Sequence, residues 1–174
     1  MNNTKIISLD NLIVENLFMQ ICKNNIYLYL DSKQKYSLYL HLTIKKHSGF
    51  ILNNKDNLHY IKILNNFTFS NKHYKLYYLI YNKIFNDNPS HINNDIQLFI
   101  NDNTVFFNNN EQITNIILSK NQPIDVIITP IVNISNNTII IKWYIKQMII
   151  YKINNIKIND TDDGYLADTE LSES

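Results

Sequence analysis

Lysine and tyrosine alternate near the C-terminal end of the chain. Between Ile139 and Lys152 the even positions run Lys142, Tyr144, Lys146, Met148, Ile150 and Lys152, whereas the odd positions run Ile141, Trp143, Ile145, Gln147, Ile149 and Tyr151. An extended strand places these sets on opposite faces, one apolar apart from Gln147, the other interleaving ammonium groups with a ring. Such a face suits single-stranded nucleic acid. Ammonium groups displace counterions from phosphates, and flat rings stack on unpaired bases for about 1–3 kcal/mol each. The combination recurs as Tyr39, His41 and Lys45 on the polar face of a strand-like run from Tyr36, and as Lys75 with Tyr77 inside Tyr74–Tyr81. The candidate nucleic-acid-binding residues are therefore Tyr39, His41, Lys45, Lys75, Tyr77, Lys142, Tyr144 and Lys146. Because any half-buried strand alternates, the placement of these residues carries the reading, and their abundance does not.

Other chemistry finds little support. A phosphate-cradling loop or a nucleophile elbow needs clustered glycines, and the chain has two glycines, Gly49 and Gly164. The five histidines, His41, His47, His59, His73 and His91, include no pair at the i, i+4 spacing that sets two imidazoles on one helix face. Cys22 is the single cysteine, which excludes a disulfide framework and a cysteine metal cluster. Asp10, Asp56 and Asp125 stand apart in sequence, unlike the paired acids of a two-metal site. The expectation is a protein without catalytic residues, metal or cofactor.

Composition sets the frame. All sixteen basic residues are Lys, and Ile, Asn and Tyr are frequent, the bias of an A/T-rich genome such as that of a large DNA virus or a parasite. The most apolar stretch, Ile139–Ile153, is broken by Lys142, Lys146, Gln147 and Lys152, too polar for a membrane-spanning helix. The first residues, with Lys5 followed by two isoleucines before Asp10, lack the layout of a signal peptide. These features predict an intracellular protein that is neither secreted nor membrane-bound.

Charge divides the chain. Residues 160–174 hold six acids, no lysine and no apolar periodicity, and read as a disordered acidic tail. The body, residues 1–159, keeps sixteen lysines against nine acids, a net +7, and reads as one β-rich domain. Its expected strands are Ile26–Leu30, joined through Asp31–Lys35 as a hairpin to Tyr36–Lys45, then Leu58–Leu64, Ile96–Ile100, Thr104–Phe107, Ile124–Ile134 and Ile139–Lys152. The spacing of Ile13, Leu17 and Ile21 predicts a short helix over Asn11–Cys22, and Lys72–Phe85 fits either a strand or a helix.

The alternating final strand with Trp143 and Gln147, preceded by Pro130 and Asn136–Asn137 and followed by the acidic tail, resembles the single-stranded DNA-binding proteins of bacteriophages and large DNA viruses. The resemblance covers residues 124–174. It implies a mainly β, OB-like antiparallel barrel with one or two short helices. It also implies largely sequence-independent binding of single-stranded DNA in replication, recombination or repair, with the tail contacting replication proteins. The chain departs from that family in lacking Arg and in ending Leu171-Ser172-Glu173-Ser174 without an aromatic residue. The competing expectation is a viral structural or assembly protein, a β-sandwich that self-associates as a homo-oligomer.

Overall fold

The longest strands, Ile124–Ser135 (β10) and Thr138–Ile150 (β11), form one antiparallel hairpin at the centre of the sheet. Asn136 and Asn137 join them, both with positive φ, the conformation of a type I′ turn whose twist matches the strands it connects. In this computed structural model residues 4–53, 58–90, 96–114 and 116–151 are described; Asp56, His91, Lys152 and the acidic tail lie outside them.

Before the hairpin come Lys5–Ser8 (β1), Phe18–Cys22 (β2), Asn25–Tyr29 (β3), Leu38–Ile44 (β4), Ile51–Asn53 (β5) and Leu58–Lys62 (β6). After the helix Phe67–Phe85 (α1) come Gln97–Ile100 (β7), Val105–Asn108 (β8) and Glu111–Ile113 (β9). The protein is thus mainly β, with one α-helix among the described residues. No helix there is long and apolar enough to cross a membrane.

One edge of β10 pairs first with β4, from Ile124↔Ile44 to Ile128↔Leu40, and farther along with β3 at Val132↔Ile26. One edge of β11 pairs in parallel with β7 at Trp143↔Leu98 and with β8 from Gln147↔Val105 onward. β6 pairs with β7, and β5 with β6. Beyond β4 and β6 the chain meets itself again: His47 and Ile63 form an antiparallel bridge, Ser48 N donates to Lys62 O at 3.1 Å, and Leu64 N donates to Lys46 O at 3.0 Å.

Alternation builds the core. Leu38, Leu40, Leu42 and Ile44 of β4 face Ile124, Val126 and Ile128 of β10, and all are buried. On β11 the buried residues are Ile139, Trp143 and Ile145, then Met148 and Ile150, so the parity switches. The cause is a bulge. Ile127 pairs with Gln147 but Ile128 with Ile145, leaving Lys146 as the extra residue. The odd face expected to be apolar throughout β11 therefore holds only as far as Ile145. Gln147, an anomaly on that face in sequence, belongs to the outer face because of the bulge.

Two other expectations change. Asn11–Cys22 is not an α-helix; it forms 3-10 turns at Leu9–Asn11 and Val14–Asn16 and then β2. Ile13 and Ile21, two residues of the expected helical stripe, are exposed, whereas Leu12, Val14, Leu17 and Met19 are buried. The buried residues are spaced two, three and two apart, the three falling across the Val14–Asn16 turn, a pattern that extended chain and a 3-10 turn satisfy and the four-residue stripe of an α-helix does not. Lys72–Phe85, by contrast, lies within α1. Phe69, His73, Leu76 and Ile80 form its buried stripe, spaced four, three and four as a helix requires. The Asn66 side chain caps its start by accepting from Phe69 N at 2.9 Å, and Asn86 closes it in the left-handed conformation with φ 51°.

Candidate nucleic-acid interface

The pairing register lines up side chains across the outer face of the sheet. Tyr60 of β6 is opposite Phe99 of β7, Phe99 is opposite Tyr144 of β11, and Tyr144 is opposite Thr129 of β10. One residue past the Leu40↔Ile128 pair, Tyr39 of β4 extends the row on the face opposite those buried side chains. Four interstrand steps separate Tyr60 from Tyr39, about 19 Å measured around the sheet. Ring centroids lie 6.0 Å apart for Tyr60–Phe99 and 5.7 Å for Phe99–Tyr144. Phe99 is buried beneath its neighbours and acts as a support on which the two tyrosines rest. Lys142 Nζ sits 5.4 Å from the Phe99 ring centroid, so a cation joins the aromatic row.

Thus Lys142, Tyr144, Lys146 and Tyr39, expected from sequence to share one surface, fall on a continuous outer face. His41 and Lys45 lie toward one end of it, where an acid intervenes. Asp125 accepts from the hydroxyls of Thr43 and Tyr151, both at 2.5 Å, and its carboxylate is 3.9 Å from His41 Nε2. The Tyr151 phenol is raised above its usual pKa, first by donating to Asp125 and then by burial. This end suits an anion less well than the Lys142 end. Lys45 lies past β4 and lines, with Lys46, Asn66 and Phe67, a shallow pocket of about 420 Å³.

Lys75 and Tyr77 do not join the face. The sequence paired them as strand neighbours, but they sit on α1, where residues two apart point about 200° from one another. Lys75 reaches Glu15 at 3.7 Å, and Glu15 is held below its usual pKa by its own backbone N–H and by Lys75. Tyr77 stacks on Tyr81 at 6.0 Å; burial, followed by Tyr81, raises its phenol. Helix α1 packs against Trp143, on the side of β11 opposite Tyr144.

Trp143 holds β11 in place. Its indole Nε1 donates to His73 Nδ1 at 3.0 Å, and its ring meets Phe69 edge-on at 5.1 Å. Burial lowers the His73 pKa from 6.5 to about 4. The ring is therefore neutral near pH 7, with Nδ1 free to accept and the proton on Nε2.

Sequence reasoning missed Tyr60, Phe99, Tyr27 and Tyr29. Tyr27 and Tyr29 carried a signal, since they oppose the buried Ile26 and Leu28 along β3. Tyr60 and Phe99 carried none, because only the β6–β7–β11 register unites them. Among the described residues no group of three or more His, Cys, Asp and Glu is placed to hold a metal ion. Comparison of the chain with protein-family models, with curated proteins and with solved structures found no match.

Proposed function

We propose that the protein binds single-stranded nucleic acid, preferentially DNA, along the outer face of β4, β10, β11, β7 and β6. The observation that carries the reading is the Tyr39–Thr129–Tyr144–Phe99–Tyr60 row with Lys142 beside it. Tyr60, Tyr144 and Tyr39, on alternate strands with the buried Phe99 supporting the first two, offer stacking platforms, and lysine beside them supplies the phosphate contact. An OB-type barrel is the fold that suits this use. Its support is that the path β4–β10–β11–β7–β6, which β1 and β5 continue at its two ends, brings the chain just past β4 against the chain just past β6 at the His47–Ile63 bridge and its two flanking backbone hydrogen bonds. Such a protein acts without a cofactor in replication, recombination or repair. Its acidic residues 160–174 compete for the lysines and meet replication partners.

Fluorescence anisotropy with a labelled oligo-dT strand tests the reading. Tyr144→Ala is expected to weaken binding about tenfold, within the range of one base–aromatic stack; unchanged affinity counts against the row. A second reading, self-association as a structural or assembly protein, draws on β2. That strand is paired only with β3 among the described strands and exposes Phe18 and Ile21. Sedimentation of the full chain without nucleic acid separates the two, since only the second requires an oligomer.

A further inference from the structure

Between β3 and β4 the chain leaves the edge of β10 and returns to it. Both strands run antiparallel to β10, β3 at Val132 and β4 from Ile128, while the intervening segment folds back on itself through the Tyr29–Ser37 bridge and Leu30 N donating to Tyr36 O at 2.9 Å. Residues 129–131 of β10 consequently face the mouth of this excursion, where a cleft of about 320 Å³ opens.

Two local features keep the cleft open and equip it. Extending the β4 register by two residues would set Leu38 opposite Pro130, which has no N–H with which to continue the ladder. The Leu38 carbonyl instead accepts from the Thr129 hydroxyl at 2.9 Å. The second feature is the β11 bulge, whose extra residue, Lys146, lines this same cleft. A bulge re-aims a side chain that a regular strand would send elsewhere. On the opposite edge of β11, the Ile145 carbonyl accepts from the Thr104 hydroxyl at 2.7 Å, so the bulge is supported there by a hydrogen bond.

The cleft walls carry Tyr27, Tyr29 and Tyr39, and Tyr27 is 46% exposed. Three rings and one lysine around a volume near the lower limit of small-ligand pockets match the chemistry of one base with its adjoining phosphate. Resting on the proposed single-strand reading, we infer that this cleft is a discrete subsite. It takes one base, turned out of the strand and laid against the tyrosines, with the adjoining phosphate on Lys146. The subsite fixes one nucleotide, whereas Tyr144 and Tyr60, on either side of the buried Phe99, stack bases along an open surface.

Photo-crosslinking of the full chain to an oligo-dT strand of about 30 nucleotides carrying 5-iodouracil, mapped by peptide mass spectrometry, tests the inference on the unaltered protein. Crosslinks are expected at Tyr27 or Tyr29, which belong to the cleft alone, as well as at Tyr39, Tyr144 or Tyr60. The double variant Tyr27→Ala/Tyr29→Ala, which removes the two rings that belong to the cleft alone and leaves the buried Ile26 and Leu28, is expected to bind about tenfold more weakly and to lose the cleft crosslinks. Binding with crosslinks at Tyr39, Tyr144 or Tyr60 only, and an unchanged affinity in the double variant, overturns the subsite while leaving the wider reading intact. Absence of any binding by the full chain overturns both.

Discussion

Lowering the pH should loosen the contact that anchors β11, and the His73–Trp143 pair sets the size of the effect. His73 titrates near 6.5 when unfolded and at about 4 when folded, because burial disfavours the imidazolium. Well above pH 6.5 neither state carries the proton, so the full stability of the neutral ring is present. Between 6.5 and 4 the unfolded chain takes up a proton that the folded chain refuses, and stability falls as pH drops through that window. The whole difference amounts to about 3 kcal/mol, of which about 2 kcal/mol is lost between about pH 7 and about pH 4.5. Urea unfolding followed by Trp143 fluorescence at a series of pH values reads this directly. Other groups titrate over the same range, so the informative quantity is the difference from His73→Gln. Its amide oxygen still accepts from the indole N–H but takes no proton. The variant is expected to lose about 2 kcal/mol less than the unaltered protein over that interval. Parallel pH profiles would refute the assignment of a buried neutral imidazole beneath Trp143. His73→Leu provides a second check, losing about 1–3 kcal/mol near pH 7 by leaving the indole N–H unpaired, with a deficit that narrows toward about pH 4.5 because the variant has no imidazole to titrate.

Two backbone positions give further expectations. Gly49 has φ +77°, and a Cβ there would come within 3.2 Å of the Leu118 carbonyl oxygen, so Gly49→Ala should destabilise by about 1–2 kcal/mol in chemical denaturation. Asn137 holds the second left-handed position of the β10–β11 turn with φ 58°; Asn137→Gly, giving the Asn-Gly pair favoured in type I′ turns, should raise stability by a few tenths to about 1 kcal/mol in a thermal melt.

Strand content was legible where burial alternates over many residues. β4, β10 and the first half of β11 carry that signal, and α1 carries the four-three-four spacing of its buried stripe. The first 22 residues misled because Ile13, Leu17 and Ile21 happen to lie four apart, although only Leu17 of the three is buried. Lys75 and Tyr77 misled for the reverse reason, a helix read with a strand's period. The bulge left one trace in sequence, Gln147 on an otherwise apolar face, but its location depends on the Ile128↔Ile145 register. Half of the candidate interface was likewise hidden. Lys142, Tyr144 and Lys146 are neighbours in sequence, whereas Tyr60, Phe99 and Tyr27 reach them only through pairings between distant segments. The turns are also chemically disguised. With only two glycines, the chain uses asparagine at left-handed positions such as Asn65, Asn86, Asn109, Asn121, Asn136 and Asn137, so asparagines that resemble loop padding mark specific turns.

The central claim is single-strand binding by the outer face, and the most direct test is fluorescence anisotropy of the full chain with a labelled oligo-dT strand of about 30 nucleotides against duplex of equal length, over a salt series. The account predicts preference for the single strand and affinity that falls with salt. The slope should shrink by about 0.7 for each phosphate-contacting lysine removed, as in Lys142→Ala or Lys146→Ala. Equal binding to both forms, a slope unchanged in both variants, or no binding at low salt would contradict it.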